Sequence, residues 1–128
     1  MAKCLVDTNV LIGILRGDSK LSDFVDSLSC SIDTTVYVEL IQGAKNKSDV
    51  EQIEIALTEY EMIHFNQAVS RKTISLIRTY SKSHGLLFAD AVIAAVCLEN
   101  QLGLITLNEK DFRFIDGLNL IVPNNETL

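Results

Sequence analysis

The sequence predicts an α/β fold, a three-layer α/β/α sandwich around a mainly parallel central sheet, and three observations carry that expectation. Short apolar strand-like runs alternate along the chain with segments whose apolar residues recur at helical spacing, which argues for a sheet covered on both faces. With 128 residues and 48% hydrophobic content, the chain can bury one core and is expected to form a single domain over residues 1–128. Two acids, Asp7 and Asp111, follow strand-like runs, and in such sheets binding sites form at the carboxyl ends of strands.

Each element has a local reason. Cys4-Leu5-Val6 is an apolar run ending at Asp7, and Val10 to Arg16 has helical spacing before Gly17, a strand, turn and helix in succession. Asp18 or Ser19 can cap a second helix whose apolar face is Leu21, Phe24, Val25 and Leu28. A short strand around Ser29 to Ile32 leads to a helix started by Thr34 or Thr35, which runs through Val36, Tyr37, Leu40 and Ile41 to a stop at Gly43. Glu39 lies about one turn into it. Ser48 and Glu51 form a capping box ahead of Ile53, Ala56 and Leu57, and the short apolar segment Met62 to Phe65 follows. Asn66 caps a longer helix with Val69, Thr73, Leu76, Ile77 and Tyr80 on one face, ended by Gly85. Leu86 to Leu102 is nearly all apolar or small and predicts a helix buried on most sides, closed by Gly103, with Asp90 near its first turn. Leu104 to Leu107 and Leu118 to Val122 are the remaining strands, the second ending before Pro123.

Composition excludes several classes. The longest uninterrupted apolar run, Ala91 to Leu98, is far short of the roughly 18 residues of a membrane span, and no signal-peptide core precedes Asp7. A cytoplasmic protein without membrane contact is expected. Cys4, Cys30 and Cys97 are odd in number, widely spaced and set among apolar or small residues, which favours buried free thiols over disulfides or a zinc site. His64 and His84 have no metal-ligand spacing with each other or with the cysteines and read as structural or surface residues. The net charge of −6 argues against phosphate binding by surface charge alone. Two divalent ions held by four of the acids would reduce it to about −2, so the acidic balance points to a cation requirement, a basic partner, or both.

Three acids stand in apolar settings, Asp7 between Cys4-Leu5-Val6 and Val10-Leu11-Ile12, Glu39 between Val38 and Leu40-Ile41, and Asp90 between Phe88-Ala89 and Ala91-Val92-Ile93; Asp111, before Phe112, is the fourth candidate. Singly they have ordinary explanations: a turn, a solvated helix position, a helix-dipole partner, and a cap of the segment Phe112 to Ile115. No Lys or Arg lies within four residues of Glu39, and none lies between Lys82 and Lys110 to pair locally with Asp90. If the acids converge, two carboxylates about 5 Å apart repel by roughly 3 kcal/mol at an effective dielectric near 20, so the cluster must take up protons or bind cations. Carboxylates are hard ligands, and with no usable His or Cys set the matching ions are Mg²⁺ or Mn²⁺. Such a site suits phosphodiester hydrolysis without a protein nucleophile.

Asp7-Thr8-Asn9-Val10-Leu11-Ile12, Val38-Glu39-Leu40, Phe88 to Ala95 and Thr106-Leu107-Asn108-Glu109-Lys110-Asp111-Phe112 resemble, in order, the four acidic motifs of the PIN-domain family. With the chain length, the resemblance is greatest to VapC-type toxins of toxin–antitoxin pairs. It implies an α/β/α sandwich, metal-dependent endoribonuclease activity on RNA with Asp7, Glu39, Asp90 and Asp111 around Mg²⁺, and Thr8, Asn9, Thr106 and Asn108 orienting carboxylates or bound water. It also implies a homodimer held inactive by a cognate antitoxin, whose inserted Arg would pair with the acids. Some relatives carry a further acid near position 108, where this chain has Asn.

Arg16, Lys45, Lys47, Lys110 and Arg113 are candidates for RNA phosphate contacts, with ordinary solvated charge the more common role for each. Tyr37, Tyr60 and Met62 to Phe65 serve either as core or as partner surface. Three competing functions remain: a non-catalytic PIN-like binding module, a PIN nuclease acting on DNA, and an aspartyl phosphoryl-transfer enzyme built on Asp7. Against the last, Asn9 stands where a second Asp is needed.

Overall fold

The computed structural model describes residues 3–124 and 128. The chain runs β1 (Lys3–Val6), α1 (Thr8–Leu15), α2 (Ser19–Asp26), β2 (Ser29–Asp33), α3 (Thr34–Gln42), α4 (Lys47–Leu57), β3 (Glu61–Ile63), α5 (Gln67–His84), α6 (Phe88–Asn100), β4 (Gly103–Ile105), a 3-10 turn (Glu109–Asp111) and β5 (Leu120–Ile121). The five strands form one sheet in the order β3-β2-β1-β4-β5, and every pairing is parallel.

That order decides where a site can form. From β1 the chain steps outward through β2 to β3, then returns past β1 to build β4 and β5 on the other side. Right-handed crossovers in opposite directions put the connecting helices on opposite faces of the sheet. Helices α1 to α4 pack against one another on one side of the connectivity, while α5 and α6 form the other packed pair. Consecutive residues of a strand face opposite ways, and Cys4, Leu5 and Val6 are all fully buried, as are Leu104 and Ile105; both faces are therefore covered. The order reverses between β1 and β4, and sheets of this kind form their sites outside the carboxyl ends of the strands at such a reversal.

Most helix boundaries follow the capping signals. Asp18 accepts the Leu21 amide at 3.1 Å, Asn66 accepts the Val69 amide at 2.9 Å, and Gly85 ends α5 in the left-handed conformation with φ 72°. Three expectations need correction. The cap of α3 is neither Thr34 nor Thr35 but Asp33, whose Oδ1 accepts the Val36 amide at 2.9 Å. The cap of α4 is Asn46, two residues before Ser48; it accepts the Asp49 amide at 2.9 Å while Asp49 Oδ2 accepts the Lys45 amide at 3.0 Å. Gly103 does not close α6, because Gln101 takes the left-handed turn at φ 52° and Gly103 opens β4. Its lack of a side chain serves packing: a Cβ there would lie 3.0 Å from Ile121 Cδ1 and 3.3 Å from Asn119 Nδ2. The strands β3, β4 and β5 are also displaced or shorter by one to three residues than the apolar runs Met62 to Phe65, Leu104 to Leu107 and Leu118 to Val122.

Candidate active site

The candidate site is built from the residues that follow β1 and β4 and from side chains of α3 and α6. Asp7 caps α1, its Oδ1 accepting the Thr8 amide at 2.8 Å. Its Oδ2 accepts the Thr106 hydroxyl at 2.8 Å and the Asn9 side-chain amide at 3.2 Å. Asp7 is 6% exposed and Thr106 fully buried, so this carboxylate is held by donors from both sides of the switch point. Burial pushes its pKa up; the hydrogen bonds from Thr106, Thr8 and Asn9 oppose that, and the charge of Glu39 adds to it.

The neighbouring polar residues make one network. Asn9 Oδ1 accepts the Leu107 amide at 3.1 Å, and Thr106 Oγ1 accepts the Asn108 amide at 3.0 Å, which ties the segment after β4 to the start of α1. The Thr8 hydroxyl donates to Glu39 Oε1 at 2.7 Å and fixes the α3 acid against α1. Thr8 and Asn9 are thus more than helix-start residues, and Thr106 more than a strand position. Asn108 joins the network through its backbone, and the residue is exposed.

Asp90 enters from the first turn of α6, half-buried. Burial, then the charges of Asp7, Asp111 and Glu39, push its pKa up to about 6. The charges of the other three acids thus reach Asp90, although the four come from four separate segments. Asp111 is exposed at the end of the 3-10 turn, where neither it nor Asp90 makes a side-chain hydrogen bond among the described residues. Nor does any Lys or Arg lie within 4.0 Å of the four carboxylates among the described residues, so the repulsion is not relieved by ion pairs.

The donor set is all-carboxylate and fits a hard divalent cation in its chemistry. Among the described residues no three His, Cys, Asp or Glu side chains stand close enough to hold an ion as placed, so ligation by three carboxylates requires side-chain rotation. Asp90 and Asp111, free of hydrogen bonds, can rotate, whereas Asp7 is already oriented.

A fifth acid escaped the sequence reasoning. Asp33 ends β2, next to β1 in the sheet, and is fully buried. Its Oδ1 caps α3, and among the described residues its Oδ2 has no hydrogen-bond partner. Burial raises its pKa against the opposing influence of Val36 and Thr35, and Glu39 raises it further. The available signal was the repeated pattern of strand, Asp, Thr: Val6-Asp7-Thr8 and Ile32-Asp33-Thr34. Tyr37 and Tyr60 prove half-buried, as do Met62 and Ile63, while Phe65 is exposed; Tyr37 donates to Glu54 Oε2 at 2.7 Å. His64 and His84 are exposed, and His84 stacks on Phe114 with ring centres 4.5 Å apart.

The fold recurs in solved toxin–antitoxin structures. A toxin–antitoxin complex from Klebsiella pneumoniae contains a chain 27% identical to this one, with TM-score 0.80 over 94% of this chain and 98% of that chain. VapBC-1 from nontypeable Haemophilus influenzae matches at 23% identity and TM-score 0.80, covering 94% and 97%. FitAcB from Neisseria gonorrhoeae matches at 24% identity and TM-score 0.74, covering 92% and 96%. No curated protein matches the sequence. The family model of the PIN domain matches residues 4–118, a span that takes in all five acids, β1 from Cys4 onward, and β2, β3 and β4 whole. The chain belongs to the PIN domain family.

Proposed function

We propose that this protein is a Mg²⁺-dependent endoribonuclease that hydrolyses RNA phosphodiester bonds as the toxin of a toxin–antitoxin pair, with Mn²⁺ able to replace Mg²⁺. The observation that carries this is the convergence of Asp7, Glu39, Asp90 and Asp111 at the switch point with no cation paired to them among the described residues. Asp7, Glu39, Asp90 and Asp111 would hold the metal. When bound, a divalent ion lowers the pKa of an attacking water and neutralises charge on the phosphate.

The chain's own residues prepare that chemistry. Thr106, Asn9 and the Thr8 amide hold the Asp7 carboxylate in one orientation, and the Thr8 hydroxyl does the same for Glu39. Asp90 gives up its proton near pH 6, so cation affinity rises as the pH passes that value. Asn108 donates its backbone N–H to Thr106 and thereby shapes the segment that delivers Asp111.

The partners in this proposal are an antitoxin and a second copy of the chain, and the surface has room for both. One apolar groove runs between α1, α2 and α4, lined by Leu11, Ile14, Leu15, Ala56, Leu57 and Tyr60. Another lies along α5 and α6, where Phe65, Ile74 and Phe88 are exposed. No helix among the described residues is long and apolar enough to cross a membrane, and the three cysteines are free, which suits a cytoplasmic site of action.

The test is cleavage of a mixed RNA pool by purified protein with Mg²⁺, with Mn²⁺ and with chelator, beside Asp7→Asn, Asp90→Asn and a single-stranded DNA arm. Metal-dependent RNA cutting that both variants lose is the expected result. Equal behaviour of wild type and variants would leave a binding module, and cutting confined to DNA would replace the substrate.

A further inference from the structure

We infer that the groove beside Asp111 is the subsite for a nucleotide flanking the scissile bond, with Lys110 and Arg113 gripping its phosphate and Leu107 and Val122 receiving its base. This rests on the proposed ribonuclease activity and adds the direction in which the strand leaves the acids. The groove, about 540 Å³, is walled by residues 107–111, Arg113 and Val122, so a site acid stands in its wall. It lies past the carboxyl ends of β4 and β5, on the β4 side of the switch point.

Three features fit single-stranded RNA. Lys110 and Arg113 are exposed and have no ion-pair partner among the described residues, so both charges are available to phosphate. Leu107 is 43% exposed and Val122 half-buried, giving a base an apolar surface next to those cations. Of the four site acids Asp111 stands in the groove wall, between Lys110 and Arg113 in sequence, so a phosphate held by those two cations lies beside a residue of the site. Arg16, Lys45 and Lys47 do not line this groove.

The experiment compares wild type with Lys110→Ala/Arg113→Ala, using a labelled single-stranded RNA for binding across a salt series and the same RNA for steady-state cleavage. A matched control, Arg71→Ala/Arg78→Ala on exposed positions of α5, removes the same charge elsewhere. Loss of two phosphate contacts should raise KM by about tenfold with kcat changed less than about threefold, and lower the slope of log affinity against log salt by about 1.4. The control should leave both unchanged. If wild type cleaves RNA while KM and the salt slope of the groove variant match wild type, the subsite is wrong and the ribonuclease stands. Equal effects from the control would also overturn it, since global charge would then explain the loss. A wild type that neither binds nor cuts RNA would remove both proposals together.

Discussion

Asp90→Asn should make the metal-free protein more stable while abolishing RNA cleavage. The carboxyl of Asp90 ionises at about 6 in the folded chain against an ordinary 3.8, because burial and the charges of Asp7, Asp111 and Glu39 oppose its ionisation. At about 1.36 kcal/mol per tenfold change, that gap corresponds to about 3 kcal/mol, and since solvent reaches part of the side chain, screening reduces it to about 1–2 kcal/mol. The sign follows from linkage. A carboxyl whose folded pKa lies above its unfolded one binds its proton more tightly in the native state, so the penalty is absent below pH 3.8, grows as pH rises, and is complete above about 6. Asparagine keeps the shape and removes the charge. Urea denaturation in chelator at about pH 7.5 should therefore show the variant about 1–2 kcal/mol more stable than wild type, and at about pH 4 the two should nearly coincide. Adding Mg²⁺ at the higher pH should stabilise wild type and leave the variant little changed. A variant less stable than wild type in chelator at pH 7.5, or a difference independent of pH, would refute the electrostatic reasoning.

Other residues give separate tests. Thr106→Val removes the hydroxyl that donates to Asp7 and accepts from Asn108, and should cost about 1–2 kcal/mol in urea denaturation and lower kcat, whereas Thr106→Ser should retain most of both. Asp33→Ser keeps an acceptor for the Val36 amide and removes the unpartnered oxygen; Asp33→Ala removes both, so the serine variant should be the more stable of the two by about 1 kcal/mol in the same assay. Gln101→Gly relieves a left-handed backbone at φ 52° and should raise stability by about 0.5–1 kcal/mol without altering activity.

How far the sequence could lead is clearest from individual residues. Helix caps are local: Asp18, Asn66 and Gly85 act within a turn of their own position and were readable directly. Ser48 misled because Asn46 offers an equally good oxygen two residues earlier, and propensity does not rank two adequate caps. Gly103 looked like a helix stop, but its smallness answers to Ile121 and Asn119 on a neighbouring segment, a tertiary constraint with no local signature. The strand order was likewise beyond periodicity, which says that a strand exists and not what it pairs with. At the site, the apolar surroundings of Asp7 and Asp90 and the motif resemblance identified acids that the fold does bring together. The hydrogen bonds from Leu107 to Asn9 and from Thr106 to Asp7 span 98 and 99 positions, so only the fold reveals them. Asp33 was missed because the threonines beside it offered a sufficient local explanation for the start of α3.

The most direct measurement on the central claim, that the four acids form a divalent-cation site, is anomalous diffraction from crystals soaked in Mn²⁺. A Mn²⁺ peak is predicted outside the carboxyl ends of β1 and β4, ligated by oxygens of Asp7, Glu39, Asp90 and Asp111 and absent from Asp90→Asn crystals soaked in parallel. An empty site at saturating Mn²⁺, or a peak that persists unchanged in Asp90→Asn, would contradict it.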